Sequence, residues 1–288
     1  MTRFNLYAIM LLALALLLSA PRATQAAQSY DNCTGTITSL PAVISTQGTW
    51  CLKADVATAI TSGNAITVNT NNVTIDCNDF KIGGLAAGLG TTARGIVSTN
   101  HLNTTVRRCN IRGFFYGLYF SGASGGGHAV EDNRFDNNTY IGIDVEGDGS
   151  VIRRNRVFDT GASTQNNSAY GVVSVYSVDV LDNTISGVTA TTGFNGSAFG
   201  IVTSSNADGR IIGNGVHGLL KDGSGASEAI DNTSSGRLSL RENDMVGAGS
   251  GTGLACSSAN GSARDNVISG FITAISTCTD SGGNSILP

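Results

Sequence analysis

The chain has 288 residues, of which 41% are apolar and 13% charged, with 38 Gly against 3 Pro and a formal charge of −4. A charged fraction well below the roughly 25% of an ordinary soluble domain, with Ser, Thr, Asn and Gly in its place, points to many short strands joined by turns and excludes a protein of long amphipathic helices. The acidic balance also excludes the basic face that nucleic acid or an anionic membrane surface requires.

The first predicted element is an export signal. Arg3 precedes an apolar run from Leu6 to Ala20, Pro21 ends the run, and Thr24-Gln25-Ala26 supplies small residues for cleavage. The run is shorter than the ~20 residues that cross a bilayer, so residues 1–26 read as a cleaved signal peptide, and the protein as secreted or periplasmic with no membrane span. Its removal takes away Arg3 and Arg22 and no acid, which makes the exported part more acidic still. Residues 27–59 are expected to form an N-terminal cap, and residues 60–288 one repeat domain, since no Pro-rich linker or charge run marks a further boundary.

All six cysteines, Cys33, Cys51, Cys77, Cys109, Cys256 and Cys278, lie in the exported part, where an oxidising compartment allows pairing. No C-x-x-C spacing is present, so disulfides are favoured over a zinc site, and sequence order alone leaves about fifteen pairings open.

From Ile75 onward the chain falls into rows of the form apolar-x-x-Asn-x-apolar: Ile75–Asn78–Phe80, Val106–Cys109–Ile111, Val130–Asn133–Phe135, Ile152–Asn155–Val157, Val180–Asn183–Ile185, Ile211–Asn214–Val216, Leu240–Asn243–Met245 and Ala263–Asn266–Ile268. Each row is followed by a second short strand that opens with a small residue and an aliphatic, such as Gly95-Ile96, Gly117-Leu118 and Gly142-Ile143. Apolar and polar residues alternate in short pieces that Gly or Asn interrupts before a helical period can build. A period of roughly 20–30 residues matches one turn of a parallel β-coil, which buries its inward side chains only by stacking on its neighbours ~4.8 Å away. The recurrent Asn is expected at one corner, tolerating left-handed backbone and bonding the Asn of the next coil.

Over roughly residues 60–285 these rows resemble the right-handed parallel β-helix proteins, a superfamily of pectate lyases, polygalacturonases, alginate-acting enzymes and many non-catalytic surface proteins. The resemblance implies an all-β fold, a single-stranded right-handed parallel β-helix (solenoid) of about eight coils with disulfide-stapled ends. Stacking the rows puts Cys109 in the Asn slot above Asn78, beside Cys77, and puts Cys256 and Cys278 at nearly equivalent strand ends. The expected pairs are therefore Cys77–Cys109 and Cys256–Cys278, with Cys33–Cys51 closing the N-terminal cap. The residues before each Asn slot form two charge ladders, Arg107, Glu131, Arg153 and Arg108, Asp132, Arg154, Asp182, which read as cross-coil ion pairs.

Length varies mainly between the Asn slot and the next Gly strand. It is long at 79–94, 156–170, 184–199 and 215–228 and short between, so residues 109–147 are expected to form the floor of a notch. Phe115, Tyr116, Tyr119 and Tyr140 would line that floor as flat apolar faces, with Asp144 and Glu146 beside them, a set that suits a sugar chain. The plainer expectation is that Phe120, Ile143 and Val145 form core, the carboxylates are solvated, and the tyrosines cover a tight turn. Asp144, Glu146 and Asp148 supply oxygens of the kind calcium takes, short of a further ligand from a neighbouring coil; no other cofactor is implied. His128 follows three glycines, His217 and Lys221 sit in a loop with Asp222, and His101 precedes a coil row, with no titratable partner fixed by spacing for any of them.

The catalytic signatures of the resembling enzymes are not matched: no adjacent Asp pair is present, and Gly127-His128-Ala129 lacks the second Gly of a Gly-His-Gly turn. No catalytic residue is assigned. The sequence favours a secreted, monomeric β-helix protein that binds an acidic polysaccharide or processes it by lyase- or epimerase-like chemistry. The alternatives are a non-catalytic cell-surface or adhesion module and, behind it, an unrelated hydrolase.

Overall fold

The computed structural model describes residues 32–205 and 208–288, an all-β parallel solenoid of about nine turns. The expected signal peptide, residues 1–26, lies outside the described residues. Among the described residues the only helical element is a 3₁₀ turn at Leu85–Ala87, and no helix is long and apolar enough to cross a membrane.

Three parallel sheets wrap the column. The first has eleven strands, from Gly35–Thr36 to Thr279–Asp280; the second has ten, from Val56–Ala57 to Ser285–Leu287; the third has ten, from Ala42–Ile44 to Thr273–Ser276. Each coil thus carries three strands where the sequence pattern suggested two. The Asn slot is the corner at which a row breaks, passing from the first sheet to the second. The eight rows correspond to the first-sheet strands from Val73–Asp76 to Gly261–Arg264. The stack continues beyond them, with Gly35–Thr36 and Gly48–Cys51 at one end and Thr279–Asp280 at the other. The Trp50 row escaped the pattern because it runs on to Lys53 where later rows carry Asn. In the first recognised row the residue in register with Ile111 is Ile82, not Phe80. Asn78 and Asp79 both take positive φ there, which lengthens the corner.

Register places like on like. Val106 lies between Ile75 and Val130, and Ile152 between Val130 and Val180, all fully buried. This alternation of inward aliphatic and outward polar residues makes the core a continuous column. At the start of the third-sheet strands the coils approach too closely for a side chain. A Cβ on Gly117 would stand 2.5 Å from the Gly142 carbonyl oxygen, and one on Gly142 2.6 Å from that of Gly171.

The Asn corner behaves as expected in its hydrogen bonds but not in its backbone. Asn133, Asn155, Asn183, Asn214, Asn243, Asn266 and Asn284 form one ladder in which each side-chain amide donates to the Oδ1 of the next at 2.9–3.0 Å. The left-handed residue is the one before each of them: Asp132, Arg154, Asp182, Gly213, Glu242, Asp265 and Gly283. The Asn side chain points inward, and the preceding residue takes the bend, being either Gly or a residue that turns its polar side chain out. At Cys109 the ladder ends, its backbone N–H donating to Asn133 Oδ1 at 3.0 Å. All three disulfides are those expected, Cys33–Cys51, Cys77–Cys109 and Cys256–Cys278, each stabilising by about 2–4 kcal/mol where unstrained.

The charge ladders pair across coils in part. Arg153 donates to Glu131 at 2.7 Å and Arg154 to Asp132 at 2.8 Å. Arg107 and Arg108 turn the other way, both onto the buried Asp76. Burial alone would raise the Asp76 pKa, but the Arg108 and Asn78 hydrogen bonds and the two guanidinium charges leave it lowered.

His128 is a core residue rather than a surface acid or base. Only 2% exposed, its Nδ1 accepts from Thr104 N–H at 3.2 Å and its ring lies 4.8 Å from that of Phe120. Burial, with His101 nearby, pushes its pKa down to about 4. The folded protein therefore resists a proton that the unfolded chain accepts, and stability falls as pH drops from about 6.5 to about 4, by about 3 kcal/mol in all. Urea unfolding at the two ends of this range is expected to show that loss in the wild type relative to His128→Gln; equal pH slopes in the two proteins would contradict it. His217, expected in a loop, lies on the strand Gly215–Leu220 with Nδ1 3.1 Å from Ser186 Oγ.

Candidate functional site

The outer face of the third sheet gathers the residues singled out above. Its strand Tyr116–Ser121 turns Leu118 and Phe120 inward and leaves Tyr116 and Tyr119 half-exposed; the next, Ile141–Glu146, buries Ile143 and Val145. The rings of Phe115 and Tyr140 stack at 4.7 Å with 24° between their planes, and Tyr116 meets both at 5.3 and 5.5 Å. Tyr119 stands 4.9 Å from Tyr116. The cluster continues to two rings not singled out in the sequence. Tyr170 meets Tyr140 at 5.5 Å and stacks on Phe199 at 5.1 Å with 15° between planes. At the other end the Arg94 guanidinium lies over Tyr119 and Tyr116, 4.7 and 5.4 Å from their centroids.

The repeat explains this strip. Register aligns Arg94, Tyr116, Ile141, Tyr170, Phe199 and Glu228, each standing just before the small residue that opens its strand. Reading that one column down the rows would have found Arg94, Tyr170, Phe199 and Glu228; attention to the short coils alone missed them. Like rings in cross-strand register stabilise each other by up to about 1 kcal/mol per pair.

Asp144 is the exceptional member. It lies in register between Tyr119 and Val173 and is 7% exposed rather than solvated, with no protein hydrogen bond at Oδ1. Desolvation, aided by the neighbouring charge of Glu146 and opposed by Arg94, raises its pKa to about 8. The phenols respond in kind. Burial, with Tyr170 and Asp144 adding to it, raises Tyr140 to about 12, and burial first, then Tyr140 and Asp144, raises Tyr116 further.

The other two carboxylates are engaged in turns: Glu146 accepts from Gly122 N–H at 2.8 Å and Asp148 from Ser177 N–H at 3.1 Å. Asp144, Glu146 and Asp148 are not brought together as a ligand set. Among the described residues no group of three or more His, Cys, Asp or Glu side chains is placed to hold a metal ion.

A cleft does form over the short coils. Of about 510 Å³, it has Gly113, Asn137 and Thr139 as its floor, Leu85 and Leu89 on one wall, and Asp159 to Ala162 with Gly187 and Thr189 on the other. The two long connections meet where Thr164 N–H donates to the Leu89 carbonyl at 3.2 Å. The tyrosines do not line this cleft. Its floor ends at Gly113 and Thr139, and the rings begin immediately after, on the sheet face. Part of the expected loop length is strand: Arg156–Gly161, Thr184–Thr189 and Gly215–Leu220 extend the second sheet beside the three-residue strands Asn110–Arg112 and Arg134–Asp136.

No family model and no curated protein matches the chain. Among solved structures it is similar to the Dettilon tailspike protein, with a TM-score of 0.53 and 16% identity over 82% of this chain and 47% of that one. It is also similar to pectate lyase Pel9A, with a TM-score of 0.51 and 15% identity over 82% and 70% of the two chains. A mannuronan C-5 epimerase A-module from Azotobacter vinelandii superposes at a TM-score of 0.41 and 11% identity, covering 90% of each chain. The chain spans about half the length of the tailspike. At these identities the first two likenesses are ones of architecture, and what this chain shares with the tailspike and the pectate lyase is the parallel β-helix fold.

Proposed function

We propose that the protein binds an acidic polysaccharide along the outer face of the third sheet, with Asp144 as the residue on which lyase- or epimerase-like processing would turn. The observation that carries this reading is a continuous strip of half-exposed rings from Tyr119 to Phe199 with one dry carboxyl, its Oδ1 without a protein partner, set into it. Rings present flat apolar surface to the C–H faces of sugars, and Arg94 offers a cation to a uronate carboxylate. The pectate lyase among the structural neighbours is consistent with such a substrate. Secretion, read from residues 1–26, would bring the protein to such polymers, and three disulfides suit that compartment.

Both elimination and epimerisation of a uronate begin with removal of the proton α to its carboxylate. Asp144, ionised, would take that proton. Arg94 neutralises the uronate carboxylate, and the phenols of Tyr116 and Tyr140, held protonated by burial, can return a proton.

Affinity electrophoresis through gels of acidic and neutral glycans, with absorbance at the unsaturated-product band followed in parallel, tests this. Retardation by acidic glycans is expected, weakened about tenfold or more in the Tyr140→Ala/Tyr170→Ala double variant. Retention without turnover would leave a non-catalytic binding module. Neither retention nor chain cleavage on the whole panel would end the polysaccharide reading.

A further inference from the structure

The strip is electrically polarised along the solenoid axis. Across the ten strands of the third sheet Arg94 is the one basic residue, whereas Asp144, Glu146, Glu228 and Asp231 are all acidic. Arg94 and Glu228 occupy the same register column, five strand spacings apart, about 24 Å at ~4.8 Å each. Between them lie Tyr116, Tyr140, Tyr170 and Phe199, none of them charged. Glu228 follows Phe199 in the column, and Asp231 follows Val202 in the parallel column that contains Asp144.

Glu228 and Asp231 are half-buried, outward-facing neighbours on the strand Ser227–Asn232, and burial raises the pKa of both. Burial, then the neighbouring Asp231, raises the Glu228 pKa to about 7. A carboxylate laid against this pair, five strand spacings from Arg94, meets no basic side chain of the sheet. Like charges brought together in this way cost several kcal/mol. A neutral sugar meets the opposite situation: its hydroxyls donate to the Glu228 and Asp231 carboxylates, while its apolar face covers the rings.

We propose that the strip selects glycans in which an anionic sugar is followed by uncharged ones, the anion at Arg94 and the uncharged stretch over Tyr140, Tyr170 and Phe199 toward Glu228 and Asp231. The proposal rests on the reading of this face as the glycan site and narrows it: uniform polyuronates are poor ligands, and a chain alternating uronate with a neutral sugar is a good one. The discrimination is a repulsion at the acidic end as much as an attraction at Arg94.

The test measures binding of hyaluronan, which alternates a uronate with an N-acetylated hexosamine, and of polygalacturonate, a uniform polyuronate, at pH about 8 in the presence of a chelator. Wild type is expected to bind hyaluronan about tenfold or more tightly than polygalacturonate. Glu228→Gln/Asp231→Asn is expected to raise polygalacturonate affinity about tenfold and so narrow the ratio, and Arg94→Gln to weaken both polymers. If the double variant does not fold, as judged by circular dichroism, Glu228→Gln alone serves. Equal or tighter binding of polygalacturonate by wild type, or an unchanged ratio in the folded variant, would overturn the selectivity while leaving the glycan site intact. Retention of neither polymer by any of these proteins would overturn both.

Discussion

Asp144→Asn is expected to leave stability near pH 4 almost unchanged and to raise it by about 5 kcal/mol at pH about 9. The folded protein holds the Asp144 proton up to about pH 8, whereas the unfolded chain releases it near 3.8. Between those values the unfolded state binds fewer protons than the folded one. Stability contributed by the protonated carboxyl is therefore full below about pH 4 and falls by about 1.4 kcal/mol per unit until about pH 8, beyond which it is flat. The amide removes this slope because it has no proton to lose. Denaturant unfolding of both proteins across this range measures the difference directly, and parallel curves would show that Asp144 is not the dry acid its burial implies.

The same substitution is expected to abolish chemistry while leaving the fold better off, a trade that marks functional positions. If Asp144 is the base, turnover in the wild type should rise about tenfold per pH unit below about 8 and level off above it, since only the ionised form accepts a proton. Asp144→Asn should lower turnover by about a hundredfold or more. A buried carboxyl with no partner at Oδ1 is otherwise hard to account for between two strands whose outward positions are Tyr, Ser and Val.

The solenoid was legible because its physics repeats. Inward aliphatics, the Asn corner and the small residue at each third-sheet start recur for local reasons, and a row alignment paired four of the six cysteines, leaving Cys33 and Cys51 for each other. The third sheet-forming segment was less visible, because a corner of two residues around Asn133 or Asn155 leaves no turn signal of its own. The site was legible only in pieces. Phe115, Tyr116 and Tyr119 are neighbours in sequence, and Tyr140 meets Phe115 and Tyr116 from the next coil. Tyr170 and Phe199 join them through register alone, from coils whose long connections drew attention elsewhere. That Asp144 is dry could not be read from alternation, which marks it as outward. On the adjacent coils it lies in register between Tyr119 and Val173.

Asn183→Ala is expected to cost about 3–5 kcal/mol, the largest loss foreseen for a residue that touches no ligand. In the folded chain Asn183 Oδ1 accepts from both Asn155 N–H and Asn155 Nδ2, at 2.9 and 3.0 Å. Its own amide donates to Asn214 Oδ1 at 3.0 Å and to the Ile152 carbonyl at 2.9 Å. Alanine strands these partners on both neighbouring coils, in a corner where Asn155, Asn183 and Asn214 are each 1% exposed and bulk water does not reach. Each orphaned group costs about 1–3 kcal/mol, and losses within one ladder do not add fully. Asn284→Ala, at the half-exposed end of the same ladder, removes a comparable side chain and is expected to cost about 1 kcal/mol, because its partners can turn to solvent. In a stack whose coils touch only their neighbours, a weak interface divides the column. Hydrogen exchange in Asn183→Ala should therefore accelerate first between residues 152 and 214 and leave the coils near Cys77–Cys109 and Cys256–Cys278 protected. Uniform acceleration along the chain would show that the solenoid unfolds as one unit and that the ladder acts on the whole column at once.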